Sequence, residues 1–229
     1  MPFDPLPTIL ADLCVAARSN PPRAVELGCG DGRLLALLRA RGLDCVGLDR
    51  LPPAAGSTAA IVGDARRPPL RPGSLDLVIA ANLVRHLWPS APGAPFLADW
   101  LGLLRPGGSL LVLEDEPAGQ PAAAARYRDL QAFLARVAPG TRGPLLAAAA
   151  FRRGLPPGLA ARIVSAGEQD NSWPQDAAAA VALLRSGRPA PGGEADRLAR
   201  AIEADGLACG RQWWCELRAG GAEEARIGA

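Results

Sequence analysis

Ala24-Val25-Glu26-Leu27-Gly28-Cys29-Gly30-Asp31-Gly32-Arg33-Leu34-Leu35 reads as a buried strand, a glycine turn and the start of a helix. Glycine suits such a turn because it takes positive φ at little cost and lets a ligand approach the backbone closely. The spacing is G-x-G-x-G, with Arg33 where a dinucleotide fingerprint places its third glycine for helix–strand packing. That argues against a nicotinamide or flavin cofactor.

The order of signals downstream narrows the reading. Cys45-Val46-Gly47-Leu48-Asp49 is an apolar strand closing on a carboxylate 17 residues after Gly32, where both hydroxyls of a ribose could be accepted. Ala60-Ile61-Val62-Gly63-Asp64-Ala65 is a third short strand ending in a Gly-Asp turn, and Ser74 to Asn82 is a fourth. A helix then stops at Pro106-Gly107-Gly108, and a fifth apolar strand runs to Glu114. Over residues 20–116, on these five motifs in this order, the chain resembles the class I S-adenosylmethionine-dependent methyltransferases, a seven-stranded Rossmann-like family. The implied fold is α/β, a doubly wound, mostly parallel sheet, here with a helical elaboration in the C-terminal half.

Composition bounds the rest. At 229 residues the chain suits one α/β domain with some elaboration. All 25 basic residues are Arg, 23 acidic residues nearly balance them, and the net charge of +2 leaves no general footprint for nucleic acid. Five cysteines, at 14, 29, 45, 209 and 215, contain no C-x-x-C, so neither a disulfide framework nor a zinc site is expected and a reducing cytoplasm fits. The N-terminus lacks a basic stretch followed by an apolar one, and no apolar run approaches the length of a membrane span.

The expected organisation is a single domain over 1–229. Residues 1–19 hold an N-terminal helix capped by Thr8, and 20–116 form the cofactor-binding core. Residues 117–160 form a helical cap with a helix over Pro121–Val137. The span 161–218 carries two further strands, near 161–165 and 209–218, with two inserted helices, and 219–229 is a frayed tail. Strands alternating with helices imply a parallel sheet, whose ligands bind beyond the carboxyl ends of the strands. Gly28, Asp49, Asp64, Asn82 and Glu114 all fall there.

The resemblance implies the cofactor S-adenosyl-L-methionine and, residue by residue, a site for it. Glu26 would stand near the amino group of the methionine moiety, with Gly28, Cys29, Gly30 and Gly32 as the turn beneath it. Asp49 would take the ribose, Arg50 and Leu51 would flank the adenine, and Asp64 with Ala65 would meet its amino group and ring. Asn82 would lie where the methionine carboxylate and methyl group are approached. Each has a plainer structural role open to it, such as a helix cap for Asp49 or an ordinary turn residue for Asp64.

No base is assigned. His86, the only histidine, could serve as one, but it starts the helix after the fourth strand and is read as packing. Glu114, Asp115 and Glu116 are either a solvated acidic loop or a cluster in which one carboxyl is raised by its neighbours into a base. No metal is expected. No Asn/Asp-Pro-Pro-aromatic tetrapeptide follows the fourth strand, there is no Pro-Cys dipeptide, and with no lysine there is no lysine-based tetrad, so a small-molecule acceptor remains by elimination. The rival readings are a nicotinamide-dependent oxidoreductase and a non-catalytic, methyltransferase-like partner protein.

Overall fold

The computed structural model describes residues 21–51, 60–88, 94–116, 122–137, 143–174, 176–186 and 192–220. The expected N-terminal helix, the turn near 51–58, Cys14 and most of the C-terminal tail lie outside them.

Seven strands make one sheet in the order β3-β2-β1-β4-β5-β7-β6. They are β1 (Arg23–Leu27), β2 (Asp44–Asp49), β3 (Ala60–Val62), β4 (Leu75–Ala81), β5 (Leu104–Asp115), β6 (Ile163–Pro174) and β7 (Ala208–Arg218). The first five pair in parallel, while β7 runs antiparallel between β5 and β6. The doubly wound α/β architecture expected from the sequence is therefore present, and the strand order reverses between β1 and β4.

Alternation along the strands builds two cores, because successive side chains point to opposite faces. On β4, Val78 and Ala80 join β1 Val25 and Leu27 and β5 Leu110 and Val112 on one face. Leu77 and Ile79 join Ala24, Cys45, Leu111 and Leu113 on the other. Helix α1 (Arg33–Ala40) covers the second face with Leu34, Leu35 and Leu38. After the short helix α2 (Val84–Leu87), helix α3 (Pro95–Gly102) covers the first with Phe96, Leu97 and Trp100. Trp213 and Trp214 divide between the faces, as their positions in a strand require: Trp213 is buried in the first core and Trp214 packs on the second.

The C-terminal half adds a third core. Helix α4 (Ala122–Val137) is followed by α5 (Ala148–Gly154) and α6 (Pro157–Ala160), and β6 and β7 enclose α7 (Ala177–Ser186) and α8 (Glu194–Asp205). Tyr127, Leu130 and Leu134 of α4 meet Val181 and Leu184 of α7 and Leu198 and Ile202 of α8. Of the apolar face that the sequence suggests for this helix, Tyr127, Leu130 and Leu134 are buried, Phe133 packs at the edge and Val137 is exposed, and the inserted helices are what that face is buried against. Two elements extend beyond expectation. β5 begins at Leu104, which pairs with Leu75 across a register shift before the turn at Gly107 (φ +82°). β6 continues to Pro174 along β7.

Candidate functional site

The turn after β1 is built from three left-handed glycines, Gly28 (φ +70°), Gly30 (φ +50°) and Gly32 (φ +78°). A β-carbon on Gly28 would stand 2.9 Å from Leu83 Cδ1, so packing as well as conformation holds that position to glycine. At Gly30 a β-carbon would meet nothing within 4 Å, and there the requirement is conformational. The N–H groups of Gly28 and Cys29 donate to Leu48 O at 2.7 and 3.2 Å, anchoring the turn on β2. Cys29 Sγ lies over Gly47, whose own β-carbon would come within 2.6 Å of it.

Asp49, at the end of β2, stitches this turn to the next. Its Oδ2 accepts from the Gly30 N–H at 2.9 Å and its Oδ1 from the Leu51 N–H at 3.0 Å. Gly63 N–H donates to Asp49 O at 2.8 Å, which brings in the turn after β3. In that turn Asp64 Oδ1 accepts from the Arg66 N–H at 2.9 Å, and the buried Ala65 is held by Trp100, whose Nε1 donates to Ala65 O at 2.6 Å. Asn82 closes the end of β4 with φ +53°, a left-handed conformation that Asn tolerates better than most residues. Its Oδ1 accepts from the Asp115 N–H at 3.0 Å, tying β4 to β5.

Together these turns enclose a cleft of about 290 Å³ lined by Gly28, Asp49–Leu51, Asp64–Arg66, Asn82, Leu83, His86 and Leu87. It opens at the carboxyl ends of β1 to β4, at the reversal of strand order, where ligands bind in open α/β sheets. Of the candidate cofactor residues, Gly28, Asp49, Arg50, Asp64, Ala65 and Asn82 line it, whereas Glu26, Cys29, Gly30 and Gly32 do not. Leu51 is 73 % exposed at its rim.

Glu26 stands at the end of β1, only 4 % exposed, and its Oε2 is buried without a hydrogen-bond partner among the described residues. Burial, reinforced by the negative Asp31 and Asp49, pushes its carboxyl up to about 8, opposed by a hydrogen bond from the Leu35 backbone. Burial also raises the Cys29 thiol to about 11. Among the described residues no cluster of His, Cys, Asp and Glu could hold a metal ion.

The acidic triplet is not the solvated loop that was one of its two readings. Glu114 is fully buried. Its Oε1 accepts from the Arg85 N–H at 3.1 Å, and its Oε2 lies 3.9 Å from Arg85 Nε, a close ion pair too long for a hydrogen bond. Burial drives the Glu114 carboxyl upward against the pull of Arg85. Asp115 is also buried and accepts from Tyr127 OH at 2.7 Å and Gln212 Nε2 at 3.3 Å. Glu116 Oε2 accepts from the Ala148 N–H at 2.9 Å. None of the three lines the cleft. Arg85, Tyr127 and Gln212 are the partners of Glu114 and Asp115, with Gln131 accepting from Arg85, and none of these contacts was part of the sequence reading.

His86 does line the cleft, on α2, and its Nδ1 accepts from the Gly143 N–H at 2.7 Å. That bond commits Nδ1 as an acceptor and places any proton of the neutral ring on Nε2. Gly143 fits against α2 so closely that a β-carbon there would stand 1.8 Å from Arg85 O.

Residues 25–112 match the family described as a methyltransferase domain. An uncharacterized methyltransferase of Mycobacterium tuberculosis is 36 % identical over 95 residues, which is 38 % of this chain and 37 % of that protein, so the chain spans little more than a third of the curated relatives it matches. YcgJ of Bacillus subtilis superposes with a TM-score of 0.61 at 12 % identity, covering 93 % of this chain and 97 % of that one. A phosphoethanolamine N-methyltransferase of Haemonchus contortus, solved with phosphomonomethylethanolamine and S-adenosylhomocysteine, superposes with a TM-score of 0.52 at 14 % identity, covering 93 % and 52 %. The family match thus runs from β1 through the glycine turn into β5, and the fold as a whole is one that solved methyltransferases share.

Proposed function

We propose that this protein transfers the methyl group of S-adenosylmethionine to a small-molecule acceptor. One observation carries the reading: the cleft at the strand-order reversal joins the glycine turn to the carboxyls of Asp49 and Asp64 and to Asn82, with an unpartnered buried oxygen of Glu26 behind it. These groups suit the cofactor's chemistry. A ribose offers two hydroxyl donors to Asp49, and the exposed Leu51 gives the adenine an apolar surface. The Ala65 turn is fixed by Trp100 for backbone contact with the ring. The amino group of the methionine moiety supplies the donor that Glu26 lacks, and the Gly28 backbone leaves room for the chain between.

The bound sulfonium supplies an electrophilic methyl group, so the protein's contribution is to hold donor and acceptor in line and exclude water. His86 acts in positioning: with Nδ1 committed to Gly143, it joins the cleft wall to the segment leading into α5. The three carboxyls of the β5 end face structural partners and none of them lines the cleft, which disfavours them as bases. A nicotinamide cofactor is disfavoured by Arg33, the first residue of α1, where close helix–strand packing would want glycine. Among the described residues no helix is long and apolar enough to cross a membrane, and the proposed setting is the cytoplasm.

Titration calorimetry with S-adenosylhomocysteine and, separately, NAD tests the reading. It expects micromolar-range binding of the first and none of the second, and the opposite result overturns it. Transfer of labelled methyl from the cofactor into an extract's small-molecule fraction rather than its macromolecules tests the acceptor class.

A further inference from the structure

Among the described residues Glu26 is a buried carboxyl near the cleft with an unpartnered oxygen and only negative charges acting on it. It sits between Gly47 of β2 and Ile79 of β4 in the sheet, beneath the first turn of α1. The backbone of Leu35 donates to it, and the other oxygen has no hydrogen-bond partner among the described residues. The charged groups that bear on it are Asp31 in the glycine turn and Asp49 at the end of β2, both negative. Asp31 is already paired with Arg33 at the surface, 2.7 Å away. The remaining titratable neighbours are the Cys29 and Cys45 thiols, and Arg39 on α1, which donates to Cys45 O and acts on both thiols. A carboxylate in this place would be desolvated and face like charge.

From this arrangement we infer that the ligand-free protein holds Glu26 as the neutral acid and that the cofactor's ammonium group displaces its proton, so that binding and proton release are one event. The inference rests on the cofactor assignment above. Glu26 Oε–H loses its proton to solvent, the resulting carboxylate accepts from the incoming ammonium, and charge is conserved. The free carboxyl is raised to about 8 by burial and by Asp31 and Asp49, and the ammonium reverses that balance. Affinity therefore rises with pH up to about 8, because above that value no proton has to be expelled.

The test is calorimetry of the wild-type protein with S-adenosylhomocysteine in buffers of different ionisation enthalpy, which counts the protons exchanged. About 0.9 proton should be released per ligand at pH 7, and the dissociation constant should fall about 50-fold between pH 6 and pH 8. Glu26→Gln should bind more weakly, release no proton and lose this pH dependence. Binding by the wild type with no proton released overturns the inference and leaves the cofactor assignment standing, as does the same proton released by Glu26→Gln. Absence of binding at every pH overturns both.

Discussion

Replacing Asp49 with alanine separates what this residue does for the fold from what it does for the ligand. Its two oxygens accept backbone N–H groups from Gly30 and Leu51 at 2.9 and 3.0 Å, so the substitution frees two ends of loops that line or support the cleft. A net hydrogen bond to a charged acceptor is worth about 1.5–3 kcal/mol when sheltered. Asp49 is half-buried and both amides can rehydrate, so about 1.5–3 kcal/mol for the pair together is the working figure. For a chain of this size that lowers Tm by about 3–12 °C. Ribose binding is an additional loss, and a further 1.5–3 kcal/mol would weaken the cofactor by about 10–150-fold. Differential scanning of the ligand-free protein reads the first loss. Calorimetry with S-adenosylhomocysteine and its 2′-deoxy analogue reads the second, and the variant should no longer distinguish the two ligands. Asp49→Asn keeps one acceptor but turns an amide NH2 toward the other donor, so it should recover less than half of the stability lost. An unchanged dissociation constant in folded Asp49→Ala would refute ribose recognition by this residue, and an unchanged Tm would refute its stitching of the two turns.

Asn82 combines a left-handed backbone with a bond to the Asp115 N–H, so Asn82→Ala should destabilise more than Asn82→Gly, which relieves the φ of +53°; thermal melts of the pair decide this. Gly143→Ala places a β-carbon 1.8 Å from Arg85 O and should cost about 1–3 kcal/mol as the segment lifts from α2, seen as a lower denaturation midpoint and faster proteolysis around 143–147. A carboxyl kept neutral in the fold but ionised in the unfolded chain makes stability fall with rising pH, by about 1.4 kcal/mol per pH unit and per proton. With Glu26 and Glu114 each raised from 4.5 to about 8, the ligand-free Tm should drop between pH 5 and pH 8, and Glu26→Gln should make that slope shallower while leaving the share due to Glu114. His86→Gln should keep most of its turnover once an acceptor is found, whereas loss of a general base typically costs about 10²–10⁴-fold; a thousandfold loss with cofactor affinity intact would make His86 the base.

What could be read from the sequence was local. β1, β2, β3 and β4 each carry an apolar run ending in a turn residue, and the ends of those runs, Gly28, Asp49, Asp64 and Asn82, converge because parallel strands bring like ends together. What could not be read depends on distant partners. Leu104 joins β5 only because Leu75 pairs with it, although Pro106-Gly107-Gly108 looks like a break. Residues 166–174 carry no apolar alternation, and their strand is imposed by β7. Glu114-Asp115-Glu116 looks like a surface loop until Arg85, Tyr127, Gln131 and Gln212 are packed around it, partners separated from it or from one another by 12 to 97 positions.

The roles of the acidic residues follow from who faces them. Glu26 has an unpartnered oxygen and negative neighbours, the environment of a group waiting for a cation. Glu114 has Arg85, Asp115 has Tyr127 and Gln212, and Glu116 has the Ala148 backbone, so these three fasten α2, α4 and α5 to the end of β5. Helix α2 is only four residues long, yet Arg85 points from it into that buried network while the adjacent His86 lines the cleft and holds Gly143. A displacement of the C-terminal helices must therefore reach the cleft wall within one residue of Arg85. Because in-line transfer is sensitive to placement on the ångström scale, substitutions in the Glu114–Arg85–Gln131 cluster should slow turnover more than they weaken the cofactor, whose proposed contacts lie at the ends of β1 to β4.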